Sequence, residues 1–147
     1  MANFVYTHAK HLFLTGGLNL STADMRVALV MTNTTADTEK DLSTIGAFTT
    51  LDEYDGAGYS SGGSALAGEG VTQDDPNDRS EFDATDLTFT GLGVGTRQCQ
   101  GAIVYAFVTN FGASIPVAWI DTGGFPFTGN GSNVTIQWNA EGILQAT

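Results

Sequence analysis

Two histidines near the start of the sequence are spaced so that both could bind one metal ion. His8 and His11 lie three residues apart in a segment whose apolar residues follow a helical period, so both imidazoles would share one helix face. A zinc site needs further protein ligands, and no Asp or Glu lies within this segment. The pattern therefore favours two surface histidines, and we expect no metal here.

A run of acidic residues offers a second kind of metal chemistry. The stretch "EGVTQDDPNDRSEFDATD" carries carboxylates that could bind calcium through oxygen ligands. Asp75 and Asn77 fit two positions of a calcium loop, but the glycine and the distal glutamate of that loop are missing. Arg79 lies inside the run and is expected to pair with one of its acids. An acidic turn is the favoured interpretation, and calcium stays the alternative. The acids of the run are Glu69, Asp74, Asp75, Asp78, Glu81, Asp83 and Asp86.

The other patterns that could support catalysis are either absent or favour a structural role. "GLGVGTRQ" (91–98) is glycine-rich but lacks the Lys-Ser/Thr of a phosphate loop and precedes a strand, so it predicts a hairpin loop. No G-x-S-x-G elbow occurs, and no pair of acids stands out for glycoside hydrolysis. Cys99 opens an apolar run, where a cysteine is usually a small buried residue. We therefore expect no enzyme, no cofactor and no catalytic residue.

Composition and charge limit the class of protein and its partners. The 147 residues suggest one domain, 1–147, and 19 glycines with only 14% charged residues favour many short strands joined by tight turns. A net charge of −11 repels phosphate, so we expect no nucleic-acid partner. The first residues lack a signal-peptide pattern, and no apolar run is long enough to span a membrane. We expect synthesis in the cytoplasm and no membrane partner.

The elements that must position these residues begin with a helix over 2–15. Phe4, Val5, Ala9, Leu12 and Phe13 recur at spacings of three and four, which is typical of an amphipathic helix. The residue Asn3 could cap its start, and the pair Gly16-Gly17 would end it.

The rest of the chain predicts strands. Nearly continuous apolar runs at 25–32 and 100–110 indicate buried strands, and 115–123 follows the second run in a hairpin. The acidic run contains a turn at Pro76-Asn77, whereas 33–58 is polar and irregular and predicts a surface excursion or an arm. "SNVTIQW" alternates as a half-buried strand, and Ile143 and Leu144 then suggest a short edge strand. The predicted fold is a mainly β, jelly-roll-like sandwich over 25–147 with an N-terminal helix, and a barrel is the alternative.

Aromatic residues supply the candidate contacts. Phe125 and Phe127 lie in a glycine-rich loop, where they could be interface anchors or could fold back over the end of the sandwich. Phe4, on the predicted helix, is a third candidate interface residue. Trp119 and Trp138 could stack on sugars, but both lie at the inward parity of apolar strands, which favours core positions.

Six segments of the chain form an ordered set: "MANFVYTHAKHLFLTGGLNLSTADMRVALVMTN", "GYSSGGSALAG", "DRSEFDATDLTFTG", "AIVYAFVTN", "PVAWIDTGG" and "VTIQWNAEGILQ". Taken in this order, they resemble small virion proteins of tailed bacteriophages. The order matches over nearly the whole chain, and 33–58 is the least matched part. The resemblance implies a capsid decoration or cement protein.

The resemblance implies a structural protein that binds the outside of the assembled capsid and bridges neighbouring subunits. It implies the major capsid protein as partner, a homo-oligomer, and a location on the outer surface of the virion. It supplies no catalytic residues. The alternative is another head or tail component, such as a fibre or tail protein that binds host glycans.

Overall fold

A computed structural model describes residues 3–147 and shows a mainly β protein with one α-helix. The helix is α1 (Thr7–Thr15), and short 3-10 turns lie at Ile45–Ala47 and Asp75–Asn77. The strands are β1 (Phe4–Val5), β2 (Met25–Met31), β3 (Ser64–Ala65), β4 (Gly70–Asp74), β5 (Arg79–Asp83), β6 (Leu87–Leu92), β7 (Cys99–Ala106), β8 (Ile115–Ile120), β9 (Ser132–Ile136) and β10 (Leu144–Ala146).

The centre of the fold is an open five-stranded antiparallel sheet in the order β1-β8-β7-β2-β3. β2 and β7 pair from Met25 opposite Ala106 to Val30 opposite Gly101, and β8 completes the predicted hairpin with β7. Five consecutive residues of β2, from 27 to 31, are buried, because this sheet is covered on both faces. The sheet ends at β1 and β3, so the structure is not the alternative barrel.

Two smaller sheets cover one face of the central sheet. They are β10-β5-β4 and β6-β9, and both are antiparallel. Phe82 of β5 and Phe89 of β6 are buried in one hydrophobic cluster with Val27 and Leu29 of β2. This packing of antiparallel sheets, with the helix at the N-terminal side, confirms the predicted mainly β sandwich.

The opposite face is covered by the irregular segment 33–58. Alternation along β2 turns Ala28 and Val30 to this side, where they join a second cluster with Ile45 and Phe48 of the segment. The segment lies over the sheet as a separate layer. It is long because it has to cover this face of the sheet. It does not project as an arm.

The helix begins later than the predicted 2–15. Phe4 and Val5 form β1, where they pair with Trp119 and Ala118 of β8, and position 2 lies outside the described residues. The predicted cap is also wrong, since the Asn3 side chain accepts a hydrogen bond from the backbone N–H of Asp121. The predicted end is correct: Gly16 adopts a left-handed conformation with φ 73° and closes the last turn.

The remaining pairings divide between confirmed and wrong predictions. The turn at Pro76-Asn77 joins β4 to β5, and β10 is a short edge strand beside β5, as predicted. The predicted hairpin around 91–98 is wrong, because β6 pairs with β9 and β7 belongs to the central sheet. That loop crosses between two sheets. No helix within residues 3–147 is long and apolar enough to span a membrane.

Candidate interaction surfaces

The loop that carries Phe125 and Phe127 is fixed to the central sheet at one point. Phe127 exchanges two backbone hydrogen bonds with Cys99, of 2.8 and 3.0 Å, at the start of β7. Both phenylalanines are half-buried against the larger hydrophobic cluster, and their ring centroids lie 5.5 Å apart. The Tyr54 ring packs beside Phe127 at 6.4 Å. The two aromatic side chains therefore fold back onto the core, and the backbone bonds hold their loop in place.

The same loop forms one wall of an open groove whose other wall is β9. The groove has a volume of about 280 Å³ and is lined by Phe125, Phe127 and Thr128 on one side and by the length of β9 on the other. β9 pairs only with β6, so its second edge has no strand partner among the described residues. Such an edge can accept an added strand, and neighbouring apolar side chains give that contact specificity. We name this feature the β9 groove.

Phe4 lies in a different part of the molecule from the β9 groove. It packs against the cluster on the other face of the central sheet, with the Tyr6 ring 5.0 Å away. The Lys40 ammonium lies 4.4 Å from the centroid of the Phe4 ring, a cation–π contact. The sequence grouped Phe4 with Phe125 and Phe127 as candidate contacts, but the structure does not bring the three residues together.

The histidine pair lies on the surface of α1, as the sequence analysis favours. The rings of His8 and His11 are stacked with centroids 6.5 Å apart. Within residues 3–147, no group of three or more His, Cys, Asp or Glu side chains is arranged to hold a metal ion.

The acidic segment folds as the β4–β5 hairpin, and an arginine lies at its centre. The Arg79 guanidinium contacts Asp74 at 3.0 Å, Glu81 at 2.7 Å and Glu141 at 3.3 Å. The Asn77 amide and then Arg79 lower the pKa of Asp74 below its ordinary value, because both stabilise the charged carboxylate. This is the pairing that the sequence analysis expects of Arg79. The network also joins the hairpin to the turn before β10.

The glycine-rich loop 91–98 wraps around one tyrosine. The Tyr54 hydroxyl donates to the carbonyl of Gly93 at 2.7 Å and accepts from the N–H of Gly95 at 3.1 Å. A Cβ at Gly95 would lie 2.8 Å from the Tyr54 ring, so glycine is required for this close approach. The glycines of this loop allow two backbone segments to meet around a phenol.

Cys99 and the two tryptophans were predicted to be core residues. Cys99 is fully buried, and burial raises the pKa of its thiol to about 12. Trp119 is fully buried, whereas Trp138 lies just beyond the end of β9 and is only half-buried. The prediction is therefore confirmed for Cys99 and Trp119 and holds only partly for Trp138.

Two further grooves were not predicted from the sequence. One, of about 420 Å³, is mostly apolar and lies between α1 and the three-stranded sheet, with Phe13, Val71 and Leu144 in its walls. The other, of about 200 Å³, surrounds Trp138 and is mostly polar. The strand "SNVTIQW" contains a signal for the second, because Gln137 beside Trp138 has the outward parity of the strand. The apolar groove depends on how α1 packs against the three-stranded sheet, and no local sequence pattern predicts that packing.

Comparison of the chain with protein-family models, with curated proteins and with solved structures found no significant match.

Proposed function

We propose that this chain is a structural virion protein of a tailed bacteriophage that binds the outside of the assembled capsid and bridges neighbouring major capsid subunits. The observation that carries the proposal is the β9 groove, where a strand edge that has no partner among residues 3–147 lies beside two fixed aromatic side chains. The ordered sequence resemblance supplies the phage context. Capsid attachment is then a protein–protein contact made along this edge.

The geometry of the groove supports a contact with an extended segment of another protein. An added strand would bond to the backbone of β9, and its side chains would contact Phe125 and Phe127. The aromatic side chains are already immobilised by the Cys99 bonds and by core packing, so little side-chain entropy is lost on binding.

The charge of the chain also supports attachment to an outer surface. A net charge of −11 keeps many copies soluble and repels DNA during head filling. It also steers the protein towards basic patches on a partner. A copy number in the hundreds per particle would require both properties.

The first experiment measures the location of the protein and its effect on filled heads. Purified particles are examined by gel densitometry and electron microscopy, and heads with and without the protein are heated until they release DNA. We expect many copies on the outer shell and a lower release temperature in heads that lack the protein. Equal release temperatures would contradict the proposal.

A second experiment tests the β9 groove itself. Thr128→Arg places a long charged side chain at an exposed position of the groove, and Thr72→Arg places the same side chain at an exposed position on β4. Both variants should fold, because neither side chain is buried. Binding of purified protein to empty heads should be weakened by Thr128→Arg and unchanged by Thr72→Arg. Equal binding by the two variants would place the capsid contact elsewhere.

A further inference from the structure

The groove around Trp138 has the chemistry of a small polar binding site. It has a volume of about 200 Å³ and lies where the loop after β8, the end of β9 and the N-terminal segment meet. Its polar lining side chains are neutral, and one aromatic side chain, Trp138, also lines it. The side chains that matter are Asn3, Thr122, Gln137, Trp138, Asn139 and Ile143. None of the described residues that line it is charged.

The aromatic ring is held in a fixed position. The indole Nε1–H of Trp138 donates to the carbonyl of Thr85 at 3.1 Å, and its backbone N–H donates to the Asp86 carboxylate at 2.9 Å. The ring is half-buried, so part of its surface stays open to the groove. A fixed, partly open indole offers contact area without a loss of side-chain freedom on binding.

Three side-chain amides line the groove. Asn3 is already hydrogen-bonded within the protein, whereas Asn139 and Gln137 can form further hydrogen bonds. The Asn3 side chain is bonded to Thr122 at 2.9 Å and to the N–H of Asp121 at 2.9 Å, which fixes this wall. The Asn139 oxygen accepts from the N–H of Glu141 at 3.0 Å, leaving its amide NH₂ to donate. The Gln137 amide makes no hydrogen bond within residues 3–147. A ligand with several hydroxyl groups would match these donors and acceptors.

We propose that this groove binds a neutral sugar ring. The apolar C–H face of a pyranose would pack on Trp138, and its hydroxyl groups would bond to Gln137 and Asn139. An acidic sugar or a phosphate is disfavoured, because Asp86 and Glu141 lie beside the groove and the chain has a net charge of −11. The small, open site holds one ring, so we expect a dissociation constant on the order of 1 mM.

The site adjoins the β9 groove at Gly123, but its amide side chains and Trp138 do not line that groove, so sugar binding does not depend on the proposed capsid function. If the protein is present in many copies on one particle, weak single sites would act together and raise the avidity for a glycan-coated surface.

The test is a titration of the purified protein with methyl glycosides of glucose, galactose, mannose and N-acetylglucosamine. Binding is followed by NMR through the indole N–H signals of the two tryptophans. Trp138 should shift with at least one glycoside, whereas the fully buried Trp119 serves as an internal reference. A saturable shift of Trp138 alone supports the proposal.

Two variants make the assignment specific. Gln137→Ala removes an exposed amide that bonds to no other described residue, so the fold should be unchanged; affinity should fall about fivefold. Gln73→Ala removes an exposed amide on β4, outside the groove, and should leave the affinity unchanged. Equal affinities for the two variants would overturn the proposal.

Other outcomes would also overturn it. One is the absence of any shift of Trp138 at glycoside concentrations on the order of 100 mM. Another is an equal shift with glycerol, which would show a general solvent effect. Saturable binding of an unrelated extended peptide in this groove, with no effect of any sugar, would assign the site to a protein partner.

Discussion

The hydroxyl of Tyr54 donates to the carbonyl oxygen of Gly93 at 2.7 Å, and this bond joins the irregular segment 33–58 to the loop between β6 and β7. The phenol also accepts from the N–H of Gly95, and Tyr54 as a whole residue is 3% exposed. Tyr54 therefore helps to connect two parts of the chain that share no sheet, beside the 2.7 Å bond from the Gly93 N–H to the Ala57 carbonyl and the Arg97–Asp52 ion pair. Burial raises the pKa of the Tyr54 hydroxyl, so the donor stays protonated at neutral pH.

Tyr54→Phe should destabilise the protein by about 1–3 kcal/mol, because it leaves a half-buried carbonyl at Gly93 and a half-buried N–H at Gly95 without their partner. The free energy of unfolding is measured in urea. Thr88→Val is the matched control: it removes a 2.7 Å hydroxyl contact to Thr135 that is exposed to solvent. We expect a change within about 0.5 kcal/mol for that variant. Similar losses in the two variants would show that the Tyr54 bonds contribute no more than a surface contact.

Gly129 packs against Gly93 and Tyr54, so a substitution at Gly129 tests how tightly this part of the protein is packed. A Cβ at this position would lie 2.1 Å from the Gly93 carbonyl oxygen and 2.5 Å from the Tyr54 hydroxyl. Gly129→Ala should therefore destabilise the fold by about 1–3 kcal/mol, because the opposing atoms are backbone or held by hydrogen bonds. Gly70→Ala is the control, since a Cβ there meets nothing within 4 Å. Thermal melting should separate the two variants clearly, and coincident melting curves would contradict the packing.

How much of this arrangement the sequence could predict depends on how local each determinant is. The strands β2, β7 and β8 were predicted because burial on both faces requires continuous apolar runs, visible in any short window. The start of the helix was missed because Phe4 and Val5 fit a helical stripe as well as an edge strand. The pairing of β6 with β9 was missed for another reason: it joins distant segments, and only the packed sheets determine it.

The β9 groove shows the same difference between features that local sequence determines and features that distant contacts determine. The sequence located Phe125 and Phe127, because aromatic residues in a glycine-rich loop are conspicuous. It could not show that β9 lies opposite them, since that depends on the Phe127–Cys99 backbone bonds. The role of 33–58 was hidden for a related reason. Its apolar residues Leu42, Ile45, Phe48 and Leu51 recur every three residues, which is not the period of a strand, and their contacts are with a sheet built from other parts of the chain.

Because the Glu39 carboxylate is hydrogen-bonded in the folded state, we expect the stability of the protein to depend on pH. Its carboxylate accepts from the Thr35 hydroxyl at 2.6 Å, and from the N–H and hydroxyl of Thr49 at 2.8 and 2.5 Å. The Thr35 bond, followed by the Thr49 bonds, lowers the pKa of Glu39 below its ordinary value of 4.5. A lowered pKa stabilises the folded state above pH 4.5, and this contribution is lost as the pH falls through the folded-state pKa.

Glu39→Gln should therefore be less stable than the unmodified chain at neutral pH, and the difference should narrow as the pH falls below 4.5. Urea unfolding at a series of pH values measures this difference. Asp41→Asn, an exposed carboxylate on the same segment, controls for the loss of one negative charge. A difference that stays constant with pH would show that the Glu39 bonds do not depend on ionisation.

Cys99 should react with thiol reagents only after the protein unfolds. The side chain is fully buried, and its pKa is raised by burial from 9.0 to about 12, so little reactive thiolate forms in the folded state. Reaction with a disulfide dye is followed at neutral pH with and without urea. Thr72→Cys supplies an exposed second thiol, which should react at once while Cys99 does not. Rapid reaction of the unmodified folded protein would contradict the burial of Cys99.

Above pH 9 the same burial should lower the stability. The unfolded thiol loses its proton first, so the unfolded state is favoured as the pH rises from 9.0 towards about 12. Cys99→Ala should be less stable at neutral pH because it leaves a small cavity, and its stability should fall less steeply over this range. Parallel stability curves for the two chains would assign the alkaline loss to the buried tyrosines instead.

Removal of the last strand, β10, tests whether this strand is needed for folding or for assembly. The Ile143 N–H donates to the Phe82 carbonyl at 2.8 Å, and Leu144 lies opposite Phe82 in the ladder with β5. A chain that ends at Asn139 loses this ladder and the Arg79–Glu141 contact, and it exposes the fully buried Phe82 ring. We expect a loss of about 2 kcal/mol or more, detected by urea unfolding, because a large apolar surface becomes accessible. A chain that ends at Ala146 is the control and should match the full sequence. If the chain ending at Asn139 keeps its stability but no longer binds heads, β10 serves as an edge for a neighbouring molecule and not as part of the fold.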